Sequence, residues 1–123
     1  MSVVPVAPRP LSPREAAVVT KLLSVEFDGA AEFRTQTLRA QVVATWGEAS
    51  PSVDLAVAPG DDQASGIDGE LPVSGEAYDE RGNYIGEVTL WSSDGYLSAV
   101  EYGWVTDDTP EVLPDPARIT VSV

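Results

Sequence analysis

Residues 73–105 read VSGEAYDERGNYIGEVTLWSSDGYLSAVEYGWV, the longest alternating segment of the chain. Three runs of alternating polar and apolar residues, 73–79, 84–91 and 96–105, are separated by Arg81-Gly82 and Asp94-Gly95. A period of two marks strands, and Asp-Gly between two such runs is a strong hairpin signal. Two tight turns in succession predict an antiparallel meander whose three strands are neighbours in sequence order.

A two-residue turn fixes register, so the pairing and the two faces follow from the turns. With Arg81-Gly82 as the turn, Tyr78 is expected opposite Ile85, Glu76 opposite Glu87 and Ser74 opposite Thr89. With Asp94-Gly95 as the turn, Trp91 is expected opposite Ser98, Thr89 opposite Val100, Glu87 opposite Tyr102 and Ile85 opposite Trp104. One face then carries Tyr78, Trp91, Tyr102 and Trp104 around Glu76 and Glu87. The other carries Val73, Gly75, Ala77, Gly86, Val88, Leu90, Leu97, Ala99 and Gly103, with Glu101 as its single charged exception. Small and aliphatic side chains allow a helix to approach a sheet closely, so the helical layer belongs on that second face. Aromatics mixed with carboxylates define a candidate binding surface: Glu76, Tyr78, Glu87, Trp91, Tyr102 and Trp104. Two glutamates directly opposite each other repel, unless solvent, a proton or a cation relieves them.

The chain around this meander supplies the rest of an α+β fold. Ser12-Pro13-Arg14-Glu15 has capping-box spacing, with proline at the first helical position and Leu11 placed to staple against Ala16. The helix is expected to reach about Val25, burying Ala16, Val19, Leu22, Leu23 and Phe27 before Asp28-Gly29 breaks it. A second short helix is predicted over 30–38. Alternation returns at Val42, Ala44 and Trp46, and again at Val53, Leu55 and Val57, with a turn between. Residues 59–72, PGDDQASGIDGELP, read as a mobile loop, and residues 119–123 as an edge strand. Residues 1–10, MSVVPVAPRP, read as a flexible proline-rich arm, leaving 11–123 as a single domain. The expected architecture is one or two helices on one face of a four- to five-stranded antiparallel sheet.

Composition narrows the chemistry. Cysteine and histidine are both absent from the 123 residues, which removes disulfides, thiolate nucleophiles, Ser-His-Asp arrangements and nearly all zinc or haem ligand sets. The lack of cysteine and of a secretory signal suits a cytoplasmic location, and no apolar run approaches the ~20 residues of a membrane span. The net charge of −13 is concentrated beyond residue 40, where only Arg81 and Arg118 oppose the acids. Such a field repels nucleic acid and anionic membranes, and steers basic partners inward.

Several motifs fail on inspection. Asp61 to Pro72 begins like a calcium loop, but its twelfth position is Pro72 where a bidentate glutamate belongs. The glycines there form no phosphate cradle, and Pro5 and Pro8 make only a bare PxxP. No metal or cofactor is expected. Glu76, Glu87, Glu101 and Asp54 offer carboxylate pairs for a hydrolase, but acids are too abundant for a pair to be informative. Residues 11–27, Pro51-Ser52-Val53-Asp54-Leu55 and Gly95-Tyr96-Leu97-Ser98-Ala99-Val100-Glu101 together resemble small acidic actinobacterial proteins without an assigned activity. That resemblance spans most of the chain through structural motifs and brings no catalytic or binding residue.

Three functional readings follow. The leading one is a non-enzymatic interaction protein whose acidic sheet binds a basic protein, in the manner of an immunity protein or inhibitor, since complementary charge speeds association. The second is a small-ligand binder or lyase-like protein using a curved-sheet cavity lined by the aromatics. The third is a homodimer joined through its aromatic face.

Overall fold

A computed structural model describes residues 3–65 and 67–123. Met1 and Ser2 of the arm and Gly66 of the 59–72 loop lie outside the described residues.

The capping box forms as its spacing demands. Ser12 Oγ accepts the Glu15 backbone N–H at 3.1 Å, and the Glu15 carboxylate accepts the Ser12 N–H at 2.7 Å. Helix α1 runs Pro13–Leu22, shorter than expected. Arg34 accounts for the early stop, because its guanidinium donates to the carbonyls of Leu23 at 2.6 Å and Val25 at 3.1 Å. Those oxygens are thereby satisfied without a further helical turn. Helix α2, Ala30–Thr37, follows at the predicted place.

Among the described residues seven strands make one antiparallel sheet: β1 (Val4–Pro10), β2 (Gln41–Thr45), β3 (Val53–Ala56), β4 (Gly69–Tyr78), β5 (Tyr84–Ser93), β6 (Tyr96–Trp104) and β7 (Ile119–Ser122). Their order across the sheet is β1-β2-β3-β6-β5-β4-β7, so the meander β4-β5-β6 pairs in sequence order as its turns require.

The sheet is larger than the four to five strands expected, and two segments were misread. Residues 4–10 of the supposed arm pair with β2, where Pro5 lies opposite Ala44 and Pro10 opposite Gln41. Proline lacks an N–H for the ladder but is tolerated on an edge strand, and β1 is the edge. Residues 69–72 of the supposed loop open β4, because Leu71 and Val73 alternate into the core while Pro72 sits exposed at a register break between Glu70 and Ser74. The segment before them packs as well: Ala64 is buried, and its N–H donates to the Gly95 carbonyl at 2.9 Å.

Both helices contribute to a single core. Val18, Val19, Leu22 and Leu23 of α1 and its end, with Phe33 of α2, meet Val53, Leu71, Val73, Val88, Leu90, Leu97 and Val100 from the strands. The predicted quartet Leu22, Leu23, Val88 and Leu90 is at most 1 % exposed. At Gly75 the side chain of Leu22 from α1 sits directly on the strand: a Cβ there would lie 2.6 Å from Leu22 Cδ2 and 2.7 Å from Ile119 Cγ2. The small-residue face thus receives the helix for a steric reason. Among the described residues no helix is long and apolar enough to cross a membrane.

Candidate functional site

The site is built by register, and two irregularities change it. The turn after β4 is one residue wider than Arg81-Gly82 alone. The Asp79 N–H donates to the Asn83 carbonyl at 2.9 Å, and the Asp79 carboxylate accepts the N–H groups of Arg81 and Asn83. Tyr78 therefore pairs with Tyr84 instead of Ile85. A bulge at Ile85 then absorbs the extra residue, so Glu76 lies opposite Glu87 and Ser74 opposite Thr89 as read.

The second irregularity is not compensated. Asp94-Gly95 is a two-residue turn, with Ser93 opposite Tyr96, but the register shifts between Trp91 and Ser92. Trp91 then faces Ala99, Thr89 faces Glu101, Val88 faces Tyr102 and Gly86 faces Trp104. From there on every residue of β6 lies on the face opposite to the one expected. Tyr102 and Trp104 join the helical side, Tyr102 only 4 % exposed and Trp104 packed against the core. Burial raises the Tyr102 phenol pKa, with charge repulsion from the Tyr84 hydroxyl group adding to it, and its own hydroxyl donates to the Ile85 carbonyl at 3.3 Å. Its ring stands over Gly86 (φ +148°), where a Cβ would come within 2.8 Å of Tyr102 Cε1 and 2.4 Å of the Gly103 carbonyl.

The six expected residues are therefore divided between the two faces. Glu76, Tyr78, Glu87 and Trp91 share the outer face, while Tyr102 and Trp104 do not join them. Glu87 is exposed and Glu76 is half-buried between Glu87 and Thr120. Tyr78 packs edge-on against Tyr84 at 6.0 Å between centroids, with its hydroxyl 3.5 Å from Glu76 Oε2. Its phenol pKa is raised, first by desolvation and then by the Glu76 charge.

In exchange, the bulge brings Glu101 outward. The Trp91 indole N–H donates to Glu101 Oε1 at 3.0 Å. A second pair of the same kind lies beside it, where the Trp46 indole N–H donates to Asp54 Oδ1 at 2.8 Å. Between the two tryptophans is an open groove of about 460 Å³ lined by Val43, Trp46, Asp54, Leu55, Trp91, Ser98 and Ala99. A smaller hollow of about 250 Å³ on the other side of Trp46 is lined by Glu101, Ser50, Ser52, Tyr102 and Trp104.

Trp46 is absent from the expected binding surface because it alternates with Val42 and Ala44, and Asp54 enters the sequence reading only as one of four strand carboxylates. The ladder breaks between Val42 and Ala44, which defeats that alternation, and Trp46 lies beyond the end of β2. Glu101 did leave a signal: it was the single charge on an otherwise apolar face, and a one-residue bulge removes that contradiction.

The outward strand positions hold Asp54, Glu70, Glu76, Glu87 and Glu101, and among the described residues no lysine or arginine stands with them. The ion pairs lie elsewhere: Arg9–Glu15, Arg34–Glu26, Arg39–Asp62 and Arg118–Asp115. Among the described residues no group of three or more acids is placed to hold a metal ion. The fold and site thus define an open-faced α+β sheet protein with an acidic, tryptophan-lined outer surface. No protein-family model, curated protein sequence or solved structure matches the chain.

Proposed function

We propose that this protein is a non-enzymatic interaction module that binds a basic protein through the outer face of its sheet, in the manner of an immunity protein or inhibitor. One observation carries the reading: among the described residues, the strand face away from the helices bears Asp54, Glu70, Glu76, Glu87 and Glu101 without a lysine or arginine. Unpaired carboxylates on a broad β surface raise its negative potential, which speeds encounter with a positive partner and disfavours wrong ones. The face also offers half-buried Tyr78 and Trp91 as apolar anchors among the charges. The Glu76–Glu87 opposition fits this reading, since a partner's basic side chain would relieve it.

Two alternatives carry less. A catalytic or ligand cavity centred on Glu87 has little support, because Glu87 is exposed and does not line the groove. A homodimer through an aromatic face loses two of its four aromatics to the helical side, and brings two acidic faces together.

Selection of a random displayed-peptide library on the immobilised protein tests the reading. Enriched peptides should be rich in arginine and lysine, and should bind the Glu76→Gln/Glu87→Gln variant more weakly. Enrichment of neutral or acidic peptides, or equal binding to the variant, would overturn it.

A further inference from the structure

We infer that the groove between Trp46 and Trp91 is a socket for one arginine side chain of the partner, its guanidinium against the indoles and paired with Asp54. This inference rests on the basic-partner reading and specifies its anchor. Arginine is the fitting cation for three reasons found in the groove itself.

The first is the walls. Trp46 and Trp91 line the same groove, and each indole edge is fixed by a carboxylate through its N–H. Rings held in this way are ordered before a ligand arrives, and a planar guanidinium stacks on an indole where a compact ammonium does not. The second is the acceptor. Asp54 is half-buried, and its Oδ1 already receives the Trp46 N–H, which leaves Oδ2 to accept from a ligand. Among the described residues no cationic side chain forms an ion pair with Asp54 or Glu101. An arginine entering here finds an unshared charge next to two aromatic surfaces. The third is the floor. Val43, Leu55 and Ala99 are apolar, so they suit the methylene stem of a long side chain and offer a hydroxyl-rich ligand few partners.

The three tryptophans make this testable in solution, because each indole N–H gives its own nuclear magnetic resonance signal. Two of them line the groove, and Trp104 lies outside it as an internal control. The probes are N-acetyl-arginine amide, N-acetyl-lysine amide, tetramethylammonium and cellobiose, each titrated at millimolar concentration. Arginine amide should move the Trp46 and Trp91 signals, leave Trp104 in place and bind more tightly than the other three. Asp54→Asn keeps an acceptor for the Trp46 N–H, and so preserves the wall, but should weaken arginine amide about tenfold. Equal shifts with tetramethylammonium, shifts with cellobiose alone, or movement of Trp104 in place of Trp91 would each overturn the arginine socket. A nona-arginine peptide separates the two levels. Binding of that peptide with still indole signals sinks the socket and leaves the acidic-face reading standing. No binding of the peptide sinks both.

Discussion

Gln36 has 0 % exposure, yet it lies in a helix whose neighbours are largely apolar. Its Nε2 donates to the carbonyls of Asp62 at 2.7 Å and Gly95 at 2.9 Å, and its Oε1 accepts the Leu97 N–H at 2.9 Å. One side chain therefore ties α2 to the 60–68 segment and to the turn between β5 and β6. Replacing it with leucine takes the partner from the Leu97 N–H and the Asp62 carbonyl, while the Gly95 carbonyl keeps the Ala64 N–H, and Gln36→Leu should cost about 2–4 kcal/mol in a urea melt. A loss below about 1 kcal/mol would show that these groups find other partners. Glu15 is a second residue-scale test. Burial pushes its pKa up, but the Arg9 fork, at 2.8 and 3.0 Å, and the Ser12 N–H outweigh burial and hold it below the ordinary carboxylate range. A depressed folded pKa adds stability above the unfolded value, near ~4.3, and that stability is lost as pH falls through the folded value. Glu15→Gln should therefore cost about 1–2 kcal/mol near neutrality, and the gap from the parent should close in melts taken well below about pH 4.

At the scale of elements, the close seat of α1 on β4 is the contact to break. Gly75→Val drives a branched side chain into Leu22 and Ile119, and overpacking of this kind should cost about 1–3 kcal/mol or more by denaturant melt. An unchanged midpoint would mean that the helix rides higher than described. Leu23→Ala and Leu90→Ala should each cost about 2–5 kcal/mol, as expected for fully buried leucines. Much of this architecture was legible in the chain. The capping box set the start of α1, the two turns set the order β4-β5-β6, and Glu76 meets Glu87 as read because the bulge at Ile85 offsets the wider turn. The illegible parts have physical causes. β1 was hidden because proline is read as a breaker, although an edge strand needs only one side of its ladder. The end of α1 was hidden because Arg34 reaches back from the next helix. Two of the six candidate-site residues, Tyr102 and Trp104, were misplaced by a single bulge near Ser98, since one extra residue reverses every later side chain. The stranded charge of Glu101 on the apolar face was the available warning.

Across the whole molecule, the helical layer and the sheet divide the charge as well as the shape. Arg9, Arg34, Arg39 and Arg118 are engaged in ion pairs, while the outward strand positions are acidic without compensation. Glu76→Gln/Glu87→Gln should raise stability by some tenths to about 1 kcal/mol, because it removes a like-charge pair from opposite strands. A clear loss of stability would show that the pair is satisfied within the fold. On the proposed function the sheet face binds the partner, and net charge alone does not. Two triple variants that each remove three carboxylates separate these. Glu70→Gln/Glu76→Gln/Glu87→Gln strips the sheet, and Asp107→Asn/Asp108→Asn/Glu111→Gln strips an exposed loop outside it. The measurement is the affinity of each for a nona-arginine peptide at matched ionic strength. The sheet variant should lose about tenfold or more, and the loop variant should stay close to the parent. Equal losses in the two variants would rule out binding by the sheet face, because net charge would then be sufficient.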